Sequence, residues 1–380
     1  MRNGFDVIVV GVGAMGSVAC YQLAARGASV LGLEQFGIPN TLGSSHGESR
    51  MLRLCYFEHP DYVPLLQRAC ELWARLEHES ARKLLHTTGG IYMGRPDSEF
   101  ISGTLRSAVQ HRLAHESLDH AQLAHRFGQF NLPKDFVGVY EPGAGLLLPE
   151  RVISAHAELA MRRGAVVHGQ EPVRDWQAGD DGVVVHTDRA TYHADHLVVS
   201  GGAWSSRLLG DLGVELVVTR QVVGWVWPKR PELFELGALP VWAIDNPRRG
   251  QPGLLYGFPM LPETPGLKVA HHFPGQPTTP DAIDRQSLPG DEDDFRPALR
   301  RFIPHADGPL LSMRVCMYTN TPDSHFIIDR HPVHDRVTIA CGFSGHGFKF
   351  ASVIGEALAD LALTGRTDLP IEFLGLGRFG

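Results

Sequence analysis

With 380 residues, 43% of them apolar and 20% charged, the chain can bury a sizeable core as one large domain or two interleaved ones. A formal net charge of −7 gives no reason to expect nucleic acid as a partner, though net charge says nothing about a local basic cleft. No uninterrupted apolar run is long enough to cross a bilayer, so no membrane partner is expected.

The opening Met1-Arg2-Asn3-Gly4 runs into an apolar strand without a small-residue cleavage site. Phe5 to Val10 (FDVIVV) reads as a buried parallel strand. Gly11, Gly13 and Gly16 follow as GVGAMG, with Ala14 and Met15 between them, and a helical pattern from Ser17 to Arg26 stops at Gly27. A second strand, Ala28 to Leu33, ends at Glu34. The first glycine permits a tight turn, the second lets backbone approach a pyrophosphate, and the third allows helix to pack on strand. The helix N-terminus offers free N–H groups to phosphate, and Glu34 is placed to accept from a ribose hydroxyl. A dinucleotide site is therefore expected, with FAD and NAD not distinguished.

Further along, Pro60 to Glu79 reads as an amphipathic helix, Gly89 to Met93 as a strand, and Ser98 to Phe127 as helices with polar joints. The turn EPGAGLLLP leads into a helix, Val152 to Arg163, and a strand, Ala165 to His168, an order that suggests return to the first sheet. Strands at Gly182 to Thr187, Thr191 to Tyr192 and Leu197 to Val199 precede Ser200-Gly201-Gly202-Ala203-Trp204, where small residues let backbone pass close to a ligand. Pro228 to Pro280 reads as a sheet domain distinct from the nucleotide-binding part, and Asp291 to Asp294 (DEDD) as a solvated helix start or loop. A strand at Val337 to Ala340 then meets the glycine-rich Cys341 to Lys349 and a helix through Leu363. Two such junctions could bring two helix N-termini to one cofactor, making the nucleotide domain discontinuous. Five scattered cysteines argue against a disulfide framework and for a reducing cytoplasm. The 20 histidines show no metal-ligand spacing, and no metal is predicted.

Five segments, GSSHGESRMLRLCY (Gly43 to Tyr56), RQVVGW (Arg220 to Trp225), GLKVAHH (Gly266 to His272), CMYTNTPDSHFIID (Cys316 to Asp329) and GFSGHGFKF (Gly342 to Phe350), carry a resemblance. In that order the chain resembles the monomeric sarcosine oxidase and N-methyltryptophan oxidase family, within the wider glycine oxidase and D-amino-acid oxidase group. The resemblance covers essentially the whole chain. It implies an α/β (α+β) fold: a Rossmann-like FAD-binding domain from residues 1–85, 150–220 and 320–380, and a sheet-based substrate domain from 86–149 and 221–319.

The resemblance also implies roles. Cys316, followed by Met317, would carry FAD covalently, which needs an accessible thiolate and so cations that lower its pKa. His46 and Arg50, after Ser44 and Ser45, would flank the flavin ring, with Arg50 stabilising its developing negative charge. Arg53 and Lys349 would hold the substrate carboxylate, because a buried carboxylate needs compensating charge and an arginine fork binds it in a bidentate way. Lys268 would activate dioxygen, and Tyr256 and His272 would shape the pocket and orient the amine, His272 being a candidate proton acceptor. Gly11 to Gly16, Glu34, Gln35 and Val173 would contact the adenosine half, and Ser200 to Trp204 (with Gly201 and Gly202) and Gly345-His346-Gly347 the pyrophosphate or flavin. The implied activity is oxidative demethylation of a small amino-acid amine by a monomeric enzyme, with O2 as acceptor and hydrogen peroxide as product. Larger N-methyl or cyclic imino acids, and a dehydrogenase using an electron carrier, stay open. Ala270-His271 stands where the family usually has Gly-Tyr, which leaves pocket width open.

Overall fold

The structure is a computed structural model and describes residues 4–210, 212–248, 250–272 and 275–380. The opening Met1-Arg2-Asn3 lies outside the described residues.

Phe5–Val10 is flanked in parallel by Val30–Leu33 on one side and Thr191–Val199 on the other. Val166–His168 extends the sheet beside Val30–Leu33, so the chain does return to its first sheet. On the far side Thr191–Val199 is one continuous strand. Its first half carries the antiparallel hairpin Val173–Gly179 and Gly182–Thr187, and its second half pairs in parallel with Val337–Cys341, which Ile327–Arg330 caps.

Alternation along the first strand explains the layering. Val7 and Val9 face a core built with the helices Ala14–Ala25, Tyr62–Ser80, Pro149–Arg162 and Ala351–Thr364. Ile8 and Val10 face the opposite core, with Val183, Val185, Leu197 and Ile339. Strands with both faces covered have to be apolar throughout, as FDVIVV is.

A second sheet runs in the order Gln276–Thr278, Val217–Val226, Leu267–His272, Leu254–Gly257, Val241–Asp245, Gly90–Gly94, Val137–Glu141, Glu116–Leu118. Leu310–Asn320 joins it against Val217–Val226. Pairing is antiparallel except between Val241–Asp245 and Gly90–Gly94. A small third sheet places Gly145–Leu147 between Arg50–Leu52 and Leu85–Thr87.

Two expectations need correction. Ser98 to Phe127 is not helical with polar joints alone: Glu99–Gln110 and His120–Arg126 are helices, but Glu116–Leu118 between them is an edge strand. Asp119, whose capping box starts the second helix, follows that strand directly. Asp291 to Asp294 is the expected helix start, a 3-10 turn leading into the helix Arg296–Phe302, but it is not solvated throughout: only Asp293 is exposed. Asp291 is buried and pairs with Arg220 at 2.6 and 2.7 Å, while Asp294 pairs with Arg248 at 2.9 Å. An acidic run is solvated only when no cation from another element reaches it, and here two arginines do.

Candidate active site

At the nucleotide end, the helix Ala14–Ala25 starts at Gly13 with no side-chain cap and no acidic residue in its first turn, which leaves its N–H groups to a ligand. Gly11 has φ +86°, and a Cβ there would come within 2.5 Å of Ser200 O. A Cβ on Gly16 would be 1.8 Å from Gly11 O, so the third glycine is a packing residue beneath the turn. Glu34 is buried; its carboxylate accepts from Val12 N (2.9 Å) and Phe36 N (3.0 Å). Burial raises its pKa against those hydrogen bonds. Glu34 thus shapes the glycine turn as well as facing the cleft.

The cleft continues toward the interface of the two large sheets. Ser44, Ser45 and His46 come from one loop and Arg50 from the strand Arg50–Leu52 that follows it, Lys268 and His272 from Leu267–His272, Tyr256 from Leu254–Gly257, and Cys316 and Met317 from Leu310–Asn320. Lys268 is buried, and its ammonium donates to Gly47 O and Ser49 O at 2.7 Å each and to Ser49 Oγ at 3.2 Å. Phe258 and Trp225 rings lie 4.7 and 5.7 Å away. Burial, then Arg50, hold the lysine well below its ordinary pKa. Arg50 donates to Ser49 O (2.9 Å) and Ser44 O (3.0 Å), tying its own loop. Among the described residues neither ring nitrogen of buried His46 has a hydrogen-bond partner. Burial, with Arg50 and Lys268 beside it, takes its pKa to about 3.

Cys316 corrects one expectation. Arg50, Lys268 and Arg220 do act to lower its pKa, but burial outweighs them and the thiol is pushed up. Cations alone do not make a thiolate where desolvation is larger.

The same cavity also holds a charged cluster, buried except at Glu58. Arg53 is buried over the rings of Tyr56 (4.3 Å) and Phe57 (4.9 Å) and pairs with Glu58 at 2.5 Å. Burial works against the Arg53 charge, but Glu58 outweighs it and the guanidinium stays protonated. For Glu58, burial is outweighed by Arg53, His346 and Lys349, and its pKa falls to about 2. Lys349 is buried and donates to His346 O at 2.7 Å; burial, then Arg53, bring its pKa to about 7. His346 bonds to the Tyr56 hydroxyl through Nδ1 and lies 2.9 Å from Ser324 O through Nε2. His272 Nδ1 is 3.0 Å from the Tyr318 hydroxyl, which also hydrogen-bonds Tyr256, and burial holds His272 at about 4. With both charged partners ionised, Arg53 and Glu58 cancel, and protonated Lys349 leaves one net positive charge for one incoming carboxylate.

All the expected site residues line this one cavity except Gly16, which lies beneath it. His271 does not: it alternates away from Lys268 and His272 and meets Asn246 O at 2.9 Å, so the unusual Ala270-His271 pair puts no bulk from residue 271 into the pocket. Glu58 and Tyr318 line the cavity and were missed. Tyr318 is two residues from Cys316 on one strand, so period-two alternation alone could have placed it there. Glu58 carries no such signal.

An uncapped helix N-terminus, a glycine cradle that a Cβ would fill, a buried acid beside it and orphaned His46 nitrogens fit an FAD laid along the cleft. Fold and site together define a flavin-dependent oxidoreductase. The family described as FAD dependent oxidoreductase matches residues 6–361, and the chain belongs to it. It is 47% identical to a monomeric sarcosine oxidase of Streptomyces avermitilis, covering 98% of this chain and 97% of that protein. A monomeric sarcosine oxidase of Bacillus sp. (strain NS-129) is 42% identical over 100% of this chain and 98% of its own length. An N-methyl-L-tryptophan oxidase of Salmonella heidelberg is 32% identical over 99% of each. Among solved structures, the open form of NikD, an unusual amino acid oxidase essential for nikkomycin biosynthesis, matches with TM-score 0.86 and 28% identity over 98% of both chains. The enzyme is an FAD-dependent amine oxidase of the monomeric sarcosine oxidase and N-methyltryptophan oxidase family.

Proposed function

We propose that the enzyme demethylates small N-methyl amino acids of the sarcosine type, with O2 as acceptor and water hydrolysing the imine, giving the amino acid, formaldehyde and hydrogen peroxide. The observation that carries this reading is the Arg53–Glu58–Lys349 cluster, whose one net positive charge opens onto the same cavity as the glycine cradle. FAD, when bound, would supply the two-electron chemistry, accepting a hydride equivalent from the C–H next to nitrogen as the C–N bond becomes an imine and passing the electrons to oxygen. Arg53 and Lys349 fix the carboxylate. His272, neutral at working pH, with Tyr318 and Tyr256 orients the amine and accepts a hydrogen bond from it. Lys268 supplies fixed positive charge where oxygen is reduced. Arg50 and His46 flank the ring, and Cys316, in the same cavity wall as Tyr318, is the attachment point for a covalent flavin.

The same reading divides the chain into an FAD-binding part, residues 1–85, 150–220 and 320–380, and a substrate part, 86–149 and 221–319; the first sheet and the second draw almost wholly on these segments. It takes the enzyme as a monomer, in keeping with the name of its relatives. Five free thiols support a reducing compartment such as the cytoplasm, and among the described residues no helix is long and apolar enough to cross a membrane.

Phe57, Phe100, Ala243 and Leu254 favour a second reading, in which larger N-methyl amino acids are also accepted: these apolar residues line the cavity beside Arg53. Anaerobic bleaching of the flavin by sarcosine, N-methyl amino acids with larger side chains, proline and pipecolate decides between them. Bleaching by sarcosine alone supports the first reading, and absence of bleaching by any of them overturns both.

A further inference from the structure

The segment from Gly47 to Cys55 carries Arg50 and Arg53 and holds Lys268, with little regular structure. Its strand is only Arg50–Leu52, paired antiparallel with Gly145–Leu147. The functional atoms lie beyond both ends: Gly47 O and Ser49 O, which hold Lys268, on one side, and Arg53 on the other. The antiparallel register carries the partner chain past Leu147 to Glu150, opposite Gly47, and back past Gly145 to Glu141, near Leu54.

Both positions are glutamates, and both receive backbone N–H groups. Glu150 Oε1 accepts from Gly47 N at 2.6 Å and Glu48 N at 3.1 Å, and Oε2 from Glu48 N at 3.2 Å. Gly47 (φ +99°) and Glu48 (φ +70°) are both left-handed, a conformation costly for a glutamate that aims successive N–H groups at one anion. With the amides committed to Glu150, the carbonyls of Gly47 and Ser49 turn to the Lys268 ammonium. Glu141, 2% exposed, accepts from Leu54 N (2.7 Å), Cys55 N (3.3 Å) and the Tyr92 hydroxyl (2.9 Å). The Cys55 carbonyl in turn accepts from Arg53 at 3.4 Å. Neither glutamate makes an ion pair among the described residues; backbone N–H groups answer the charge of Glu150, and at Glu141 they act with the Tyr92 hydroxyl and the Arg53 charge against a burial that still raises its pKa.

We propose that Glu141 and Glu150 are positioning residues that splint this segment at its two ends, Glu150 presetting the carbonyl cage of Lys268 and Glu141 the reach of Arg53. The assignment rests on the roles given above to Lys268 and Arg53. It predicts that two halves of one reaction are separable through residues that touch neither substrate nor flavin. The charged and titratable groups acting on Lys268 are Arg50 and Glu48 from its loop, Glu150 from the helix Pro149–Arg162 and Cys316 from the neighbouring strand; His46 lies beside them. Removing the Glu150 charge disfavours the protonated lysine.

The test uses the FAD holoenzyme. In E150Q the amide oxygen can keep the two N–H contacts while the charge is lost, so the alkaline limb of O2 reoxidation moves down by about one pH unit, with the Kd for acetate unchanged within about twofold. In E141Q the amide NH2 must face an N–H or O–H donor, so the acetate Kd, read from the flavin spectrum, rises about tenfold or more while reoxidation is unchanged. E141D and E150D, which keep the charge but shorten the reach, show the same split at smaller size and serve if a Gln variant fails to fold. Hydrogen exchange, independent of turnover, should rise at Gly47 and Glu48 in E150A and at Leu54 and Cys55 in E141A. Exchange that rises at both ends in either variant, or at neither, overturns the splint. Exchange that splits while the kinetic readouts do not overturns the assignment of its ends. A wild-type enzyme that shows neither acetate binding nor an alkaline limb sinks instead the roles of Arg53 and Lys268.

Discussion

Lys349 gives the carboxylate cradle a specific pH signature. Its pKa of about 7, set by burial and then Arg53, makes it half-charged near neutrality before any ligand binds. The other titratable groups of the cradle are silent between pH 5 and 9: Glu58 sits at about 2, His346 at about 3 and His272 at about 4, and Arg53 stays protonated throughout. An anion bound against Lys349 favours its protonated form, and an opposite charge within about 4–6 Å moves a pKa by roughly 1–3 units. The sign follows by linkage. Below pH 7 the lysine is already charged, so affinity is flat. Above pH 7 binding must take up a proton, and affinity falls about tenfold per pH unit until the raised pKa of the complex is reached, a range worth about 1.4–4 kcal/mol. Acetate is the suitable probe, because it has no amine to titrate in the same range. Calorimetry in two buffers of different ionisation enthalpy at pH 8 should report uptake of up to one proton per acetate bound. Lys349→Met should bind acetate weakly at every pH and take up none. Proton release, or an acetate Kd that is flat from pH 6 to 9 in the wild type, would refute the reasoning.

Lys268→Met should slow flavin reoxidation by about a hundredfold or more, the scale for removing a preorganised charge, with much less effect on anaerobic reduction; equal losses in stopped-flow traces of both half-reactions would take Lys268 away from oxygen. Acid-precipitated wild-type protein should stay yellow and Cys316→Ala should release its flavin to the supernatant, whereas colour retained on the precipitated variant would place the attachment elsewhere. Asp291→Ala leaves Arg220 without its carboxylate in a largely buried site, which should cost about 3 kcal/mol and several degrees of Tm; an unchanged melting curve would return the acidic run to the solvated loop first expected of it.

What the chain disclosed in one dimension was whatever its physics keeps local. The glycine turn, its strand and helix and Glu34 all fall within the first 34 residues and pack on one another, so their pattern is visible in the letters even though Gly11 also meets Ser200. Arg50, Arg53, Lys268, Cys316 and Lys349 were legible only through whole-chain resemblance. They meet because the second sheet sets Val217–Val226 between Leu267–His272 and Leu310–Asn320, a pairing no local period specifies. The residues that escaped notice, or were read as solvated, are mostly acids. Glu58 neutralises Arg53, Asp291 neutralises Arg220, and Glu141 and Glu150 gather backbone N–H groups from a segment about a hundred positions earlier. A carboxylate in a sequence looks the same whether water or a distant arginine answers its charge, and composition favours water. Burial reverses that default, because an unpaired carboxylate inside a protein costs several kcal/mol. Glu141 and Glu150 mark two places where the fold had to supply donors, the ends of the segment that carries Arg53 and the carbonyls holding Lys268.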